Sequence, residues 1–200
     1  LTLADVMATG YHSAASAEVN EGDTVAVIGD GAVGLCGVIG ARLRGAKRII
    51  LMSHHEDRAK LGREFGATDI VSERGDDAIK KVMELTNSVG VDAVQECVGA
   101  VSAIEQAGKI ARPDAVIGRV GVPQTEPSSK TLFWKNIGLR GGIANVTTYD
   151  KNILLKAVLD GEINPGKVFT KRFDLDHIQE AYEAMDKRET IKSLVIVADK

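Results

Sequence analysis

Val25-Ala26-Val27-Ile28-Gly29-Asp30-Gly31-Ala32-Val33-Gly34 is the stretch on which the reading of this 200-residue chain turns. Four apolar residues in a row suit a strand covered on both faces, and glycines follow at once in the spacing G-x-G-x-x-G. Gly29 permits a tight turn, Gly31 lets the backbone approach a bound group closely, and Gly34 lets the next helix sit close to the strand. Free N–H groups and the positive end of that helix then face an anion. Between a strand and a helix, such a loop predicts a pyrophosphate site.

Outward from this loop, short β-branched runs alternate with longer helical segments as far as Gly142, the pattern of βαβ units around a parallel sheet. Strands are expected at Thr24–Ile28, Arg48–Met52, Thr68–Val71, Val91–Gln95, Ala115–Val120 and Ile137–Arg140. Helices are expected at Val33–Arg44, Glu56–Phe65, Gly75–Thr86 and Val101–Ile110. The fold class is therefore α/β, a doubly wound parallel six-stranded Rossmann sheet. A small-residue helix, Leu3–Ala17, precedes it, and residues 1–142 are read as the dinucleotide-binding domain. After Gly142 the style changes: Tyr149–Leu159 reads as a helix, Asn164-Pro165-Gly166 as a breaker, Asp176–Asp186 as a helix and Ser193–Val197 as a strand. The Asp176–Asp186 pattern places Ile178, Ala181, Tyr182 and Met185 on one face. This C-terminal tail, 143–200, holds too few apolar residues for a domain of its own.

Composition narrows the partners. A net charge of −3 and a pI near 5.9, with no long basic run, do not supply the attraction that nucleic acid or anionic lipid requires. No apolar stretch reaches the roughly 20 residues that span a bilayer, and no charged leader opens the chain, so a cytoplasmic protein is expected. Cys36 and Cys97 lie far apart and read as reduced, buried thiols. The chain starts at Leu1, directly in a helical pattern, and is read as part of a longer protein.

The end of the second strand bears on which dinucleotide is bound. An acidic residue about 20 residues beyond the glycines bonds the ribose hydroxyls in NAD-binding versions, and here Ser53 stands in its place. A hydroxyl with His54, His55 and Arg58 nearby can receive a 2′-phosphate through charge-assisted bonds, so NADP is favoured. Glu56 or Asp57 reaching the ribose, with NAD bound, is the alternative. In purely structural terms, Ser53 and Glu56 can also form an S-x-x-E capping box with exposed histidines in the first turn.

Several short motifs in one order complete the picture: Asp5-Val6-Met7-Ala8-Thr9-Gly10-Tyr11, Gly22-Asp23-Thr24-Val25, Leu43-Arg44-Gly45-Ala46, Glu64-Phe65-Gly66-Ala67, Val120-Gly121-Val122-Pro123, Lys135-Asn136, Arg140-Gly141-Gly142 and the Leu175–Met185 segment. Over nearly its whole length the chain resembles the medium-chain, zinc-dependent alcohol dehydrogenases, in particular the microbial NADP-linked secondary-alcohol type. The resemblance implies hydride transfer between NADP(H) and an alcohol or carbonyl carbon, with zinc as Lewis acid. It places one zinc ligand at Asp5, and the other ligands, the proton relay and the structural-zinc lobe in a catalytic domain that this sequence does not contain. The C-terminal tail is expected to pack with that domain, and no catalytic residue falls in these 200 residues.

Further cofactor contacts follow from the same resemblance: Thr9 against the nicotinamide, backbone groups of Ala32 and Val33 at the pyrophosphate, and Cys97 and Val98 lining the crevice. Val120, Gly121 and Val122 are implied at the nicotinamide, with Ile143 and Ala144 nearby, and Lys192 near the phosphates. The bland readings are that the valines, Ile143 and Cys97 are sheet core and that Asp5 and Lys192 are solvated side chains. A homodimer through the sixth strand at the sheet edge is implied as well. Two other functions compete: a zinc-free quinone or enoyl reductase of the same superfamily, and a non-catalytic NAD(P)-sensing module. A methyltransferase fits less well, because its cofactor has no pyrophosphate to draw the glycines close.

Overall fold

Residues 1–145 and 147–198 are described by a computed structural model. The quoted apolar run is strand β1 (Thr24–Ile28), buried from Val25 onward. Ahead of it a short 3₁₀ turn, Thr2–Ala4, leads into α1 (Val6–Ser16). After it come α2 (Ala32–Leu43), β2 (Arg48–Met52), α3 (Glu56–Phe65), β3 (Asp69–Val71), α4 (Gly75–Leu85) and β4 (Val91–Glu96). Then follow α5 (Val101–Ile110), β5 (Ala111–Arg119), α6 (Ser129–Lys135), β6 (Gly138–Gly141) and α7 (Thr148–Leu159). The six strands form one parallel sheet in the order β3-β2-β1-β4-β5-β6, the doubly wound arrangement expected.

The order reverses at β1, so the chain winds out to one side through β2 and β3 and to the other through β4, β5 and β6. Helices α1, α2 and α3 cover one face, and α4, α5 and α6 the other. Between the sheet and α4 and α5 lies a core that includes Ile28, Ile50, Val82, Val94, Ile110 and Ile117, each under 5% exposed. Each such side chain contributes roughly 1.5–3 kcal/mol by leaving water. On the opposite face α1 reaches α2 in backbone contact, since a Cβ on Gly10 would lie 2.5 Å from the Cys36 carbonyl carbon. Buried Gln95 ties the same elements together: it accepts from Ser13 Oγ on α1 and donates to the Gly37 carbonyl on α2.

The described chain divides into two compact units, Leu1–Ile163 and Asn164–Lys200. The sequence changes style at Gly142, yet α7 belongs to the first unit, where it buries Leu154 and Ala157 and starts with a capping box between Thr147 and Asp150. The second unit is a small βαβ: a 3₁₀ turn at Pro165–Val168, β7 (Phe169–Asp174), α8 (Ile178–Asp186) and β8 (Lys192–Ile196), the two strands parallel. Its helix presents Ala181 and Ala184 inward, whereas Ile178 and Tyr182, expected on the buried face, are exposed. The face is thus rotated from the expected one, and small residues let α8 lie close to β8, where Ser193 Oγ donates to the Ala181 carbonyl.

Candidate dinucleotide site

Strand register assembles the site. Met52, Ile28, Glu96 and Arg119 lie side by side at the carboxyl ends of β2, β1, β4 and β5. The residues that follow, Ser53, Gly29, Cys97 and Val120, therefore open onto one crevice where the strand order reverses, the place where open α/β sheets bind ligands.

At its centre Gly29 takes φ +109°, a left-handed conformation that suits glycine. Gly34 packs beneath it, with no room for a side chain: a Cβ there would sit 2.0 Å from the Gly29 carbonyl oxygen. Gly31 caps α2 and faces open space, with nothing within 4 Å of an added Cβ. The first turn of α2, with Ala32 and Val33, presents backbone N–H groups beside that opening, and no acidic residue lies in this turn. A tight turn, a close-packed helix start and an unobstructed glycine are what a pyrophosphate needs, and the chain fits it.

One side of the crevice carries the second-strand end. Ser53 is 1% exposed, and its hydroxyl donates to Asp30 Oδ2 at 2.9 Å. His55 Nδ1 donates to the same oxygen at 2.8 Å, and Arg58 Nη1 lies 3.5 Å from Oδ1. Burial pushes the Asp30 carboxyl up, but the hydrogen bonds from His55 and Ser53 and the charges of His55 and Arg58 outweigh it, so its pKa lies below the usual carboxylate value. The S-x-x-E capping box does not form: His55, not Ser53, is the N-cap of α3, no side chain caps that helix, and the Ser53 hydroxyl is committed to Asp30. His55 is accordingly half-buried, not an exposed first-turn residue. His54 is exposed, stands outside the cluster and donates through Nδ1 to the Ser72 carbonyl. Sequence reasoning named Ser53, His54, His55 and Arg58 but missed Asp30, which occupies a variable position of the glycine motif.

The other side carries the ends of β4, β5 and β6. Buried Glu96 turns the chain after β4, its Oε1 accepting from the N–H groups of Val98 and Gly99. Its role too went unread in the sequence. Val98 reaches the loop, 2.7 Å from where a Gly29 Cβ would stand, and Gly121 backs onto Gly99 and Val98 so closely that a Cβ would lie 2.2 Å from the Gly99 nitrogen. Val122 and Ile143 are 85% and 96% exposed, so neither is sheet core. The Cys97 thiol donates to Ser13 Oγ, and burial, with the Glu96 charge adding to it, pushes it up to about 12, a neutral thiol and no thiolate ligand. Thr9 is half-buried on α1, and Lys192 opens β8 in the second unit.

Asp5 is exposed at the N-cap of α1. Among the described residues no three His, Cys, Asp or Glu side chains converge on a metal position. This chain alone does not fit a zinc ion, because one carboxylate cannot make a tetrahedral site.

Comparison with known proteins agrees with this architecture. The sequence profile of the zinc-binding dehydrogenases matches residues 32–155. The NADP-dependent isopropanol dehydrogenase of Thermoanaerobacter brockii is 34% identical over 204 residues, an overlap of 97% of this chain and 58% of that protein. Its counterpart from Clostridium beijerinckii is 32% identical over 211 residues, covering 98% and 58%. The structure of an alcohol dehydrogenase from a Thermus species superposes with a TM-score of 0.89 at 28% identity, covering 98% of this chain and 57% of that one. The chain spans about half the length of the relatives it matches. With its glycine loop at the reversal point of a six-stranded parallel sheet and the profile match across most of that sheet, this chain belongs to the zinc-binding dehydrogenase family, as the part that carries its cofactor-binding fold.

Proposed function

We propose that this chain binds NADP(H) and is the cofactor-holding part of an alcohol dehydrogenase that transfers hydride between NADP(H) and a small alcohol or carbonyl compound. The observation that carries the choice of NADP is the cluster of Ser53, His55 and Arg58 at the end of β2, donors gathered where a 2′-phosphate would lie and where an NAD site has an acidic residue of that strand. The relatives from Thermoanaerobacter brockii and Clostridium beijerinckii, which are NADP-dependent isopropanol dehydrogenases, support the same choice. Gly29, Gly31, Ala32, Val33 and Gly34 hold the pyrophosphate, and Thr9, Cys97, Val98, Val120, Gly121, Val122 and Ile143 line the nicotinamide side.

When bound, the nicotinamide supplies or accepts the hydride. Zinc belongs to the complete site, with Asp5 as one ligand among others that this chain does not contain, and the C-terminal segment packs with the domain that brings them. Alone, the 200 residues bind cofactor without turnover. As thiols, Cys36 and Cys97 suit the reducing cytoplasm. The edge position of β6, beside exposed Phe133 and Trp134, supports pairing of two copies through that strand. Replacing Arg58 by Leu tests the cofactor reading: NADPH binding weakens while NADH binding changes little, and an equal loss for both dinucleotides contradicts it.

A further inference from the structure

The position where the 2′-phosphate would lie already holds an anion. We propose that Asp30 sets the dinucleotide selectivity of this chain: its carboxylate is an internal stand-in for the 2′-phosphate, and NADP(H) binds by displacing it.

A serine hydroxyl has one proton to give, and so has a ring Nδ1. The Ser53 hydroxyl and His55 Nδ1 both spend theirs on Asp30 Oδ2, so neither can serve a phosphate oxygen while that contact persists. Arg58 faces the other carboxylate oxygen, and the Asp30 and Arg58 side chains are only 13% and 9% exposed. Ser53, at 1% exposure, is reached by a ligand only when what covers it moves. A phosphate dianion next to a carboxylate that stays in place is also repelled. NAD(H) carries no such group. Its ribose hydroxyls are donors, and a carboxylate is what they seek. Asp30 thus brings from the glycine loop the acidic group that β2 lacks at Ser53, and NADP(H) must give up part of its binding free energy to dislodge it.

This inference rests on the proposed cofactor reading, and the test separates the two. The 200-residue chain and its Asp30→Asn and Asp30→Ser variants are titrated with NADPH, NADH, adenosine 2′,5′-bisphosphate and AMP, after far-UV circular dichroism has checked the fold. Asp30→Asn tightens NADPH and the bisphosphate on the order of tenfold, with NADH and AMP unchanged or weaker. Unchanged or weaker NADPH binding in folded variants, with the wild type binding NADPH, overturns the inference and leaves the cofactor reading standing. A wild type that binds neither dinucleotide overturns the cofactor reading and the inference with it. Should both variants fail to fold, the wild-type complex with adenosine 2′,5′-bisphosphate decides: Asp30 parted from Ser53 supports displacement, and an intact contact refutes it.

Discussion

Gly34 lies so close beneath Gly29 that a Cβ on the first would stand 2.0 Å from the carbonyl oxygen of the second, whereas Gly31, between them in sequence, faces open space. The glycines of one motif therefore answer to different demands, fold at one position and ligand at the other. Gly34→Ala overpacks the loop and costs about 2–3 kcal/mol of stability. Gly31→Ala stays within about 0.5 kcal/mol of wild type, because its φ of −74° suits alanine, but weakens dinucleotide binding by filling the space a pyrophosphate needs. Urea unfolding and dinucleotide titration of the two variants check this. Equal destabilisation by both would show that the division of labour is wrong.

Arg48 on β2 and Asp69 on β3 are joined by two hydrogen bonds, at 2.8 and 2.9 Å, and Arg48 also donates to the Leu85 carbonyl at the end of α4. Its hydrogen bonds hold the Asp69 carboxyl below the usual value against the opposing effect of burial. A carboxyl whose pKa is lowered by folding stabilises fully above its unfolded value of 3.8, and that contribution fades as the pH falls through the folded value. With both side chains partly exposed, Asp69→Asn costs about 0.5–1 kcal/mol at neutral pH and close to nothing at about pH 2. Thermal unfolding of both proteins at the two pH values measures it, and a cost that does not shrink in acid contradicts the assignment.

Lys135 closes the end of α5 from a distance, its ammonium donating to the carbonyls of Gly108, Lys109 and Ala111 at 2.9–3.1 Å. Lys135→Met keeps the stem and removes the donors, so it costs about 1–3 kcal/mol and speeds amide exchange in the region that these carbonyls anchor. Unchanged stability would mean that water replaces the ammonium without loss.

How far the sequence is legible depends on how strongly each segment is patterned. Strands β1 and β2 appear with the expected bounds because they are buried almost throughout and their apolar runs are nearly unbroken. The α3 and α5 bounds, Glu56–Phe65 and Val101–Ile110, appear in the structure as read. Three features escaped. Phe169–Asp174 carries Lys171 and Arg172 side by side on a two-stranded ribbon and lacks a continuous apolar signal. Ser129–Lys135 is too short for helical periodicity to emerge and leaves Phe133 and Trp134 exposed. The third is β5, which starts at Ala111 and runs through Pro113 and a left-handed Asp114, residues that read as a turn. In the site, the positions of Ser53, His55 and Arg58 were readable because they follow the second strand. Asp30 was not, since nothing in G-x-G-x-x-G distinguishes a solvent-facing x from one that folds back on the neighbouring strand.

The thiols give a further check. Cys36 is buried, and burial beside Glu96 keeps Cys97 protonated with a pKa near 12. Neither thiol is expected to react with a thiolate-selective reagent at mildly alkaline pH until urea unfolds the chain. Rapid labelling of Cys97 in the native protein would show that its surroundings are wetter and less anionic than described.

The cofactor claim is tested most directly by titrating the 200-residue chain with NADPH and with NADH by calorimetry, at one fixed salt concentration and without added metal. NADPH is expected to bind with a dissociation constant on the order of micromolar, more tightly than NADH. Tighter binding of NADH, or no binding of either, would contradict it.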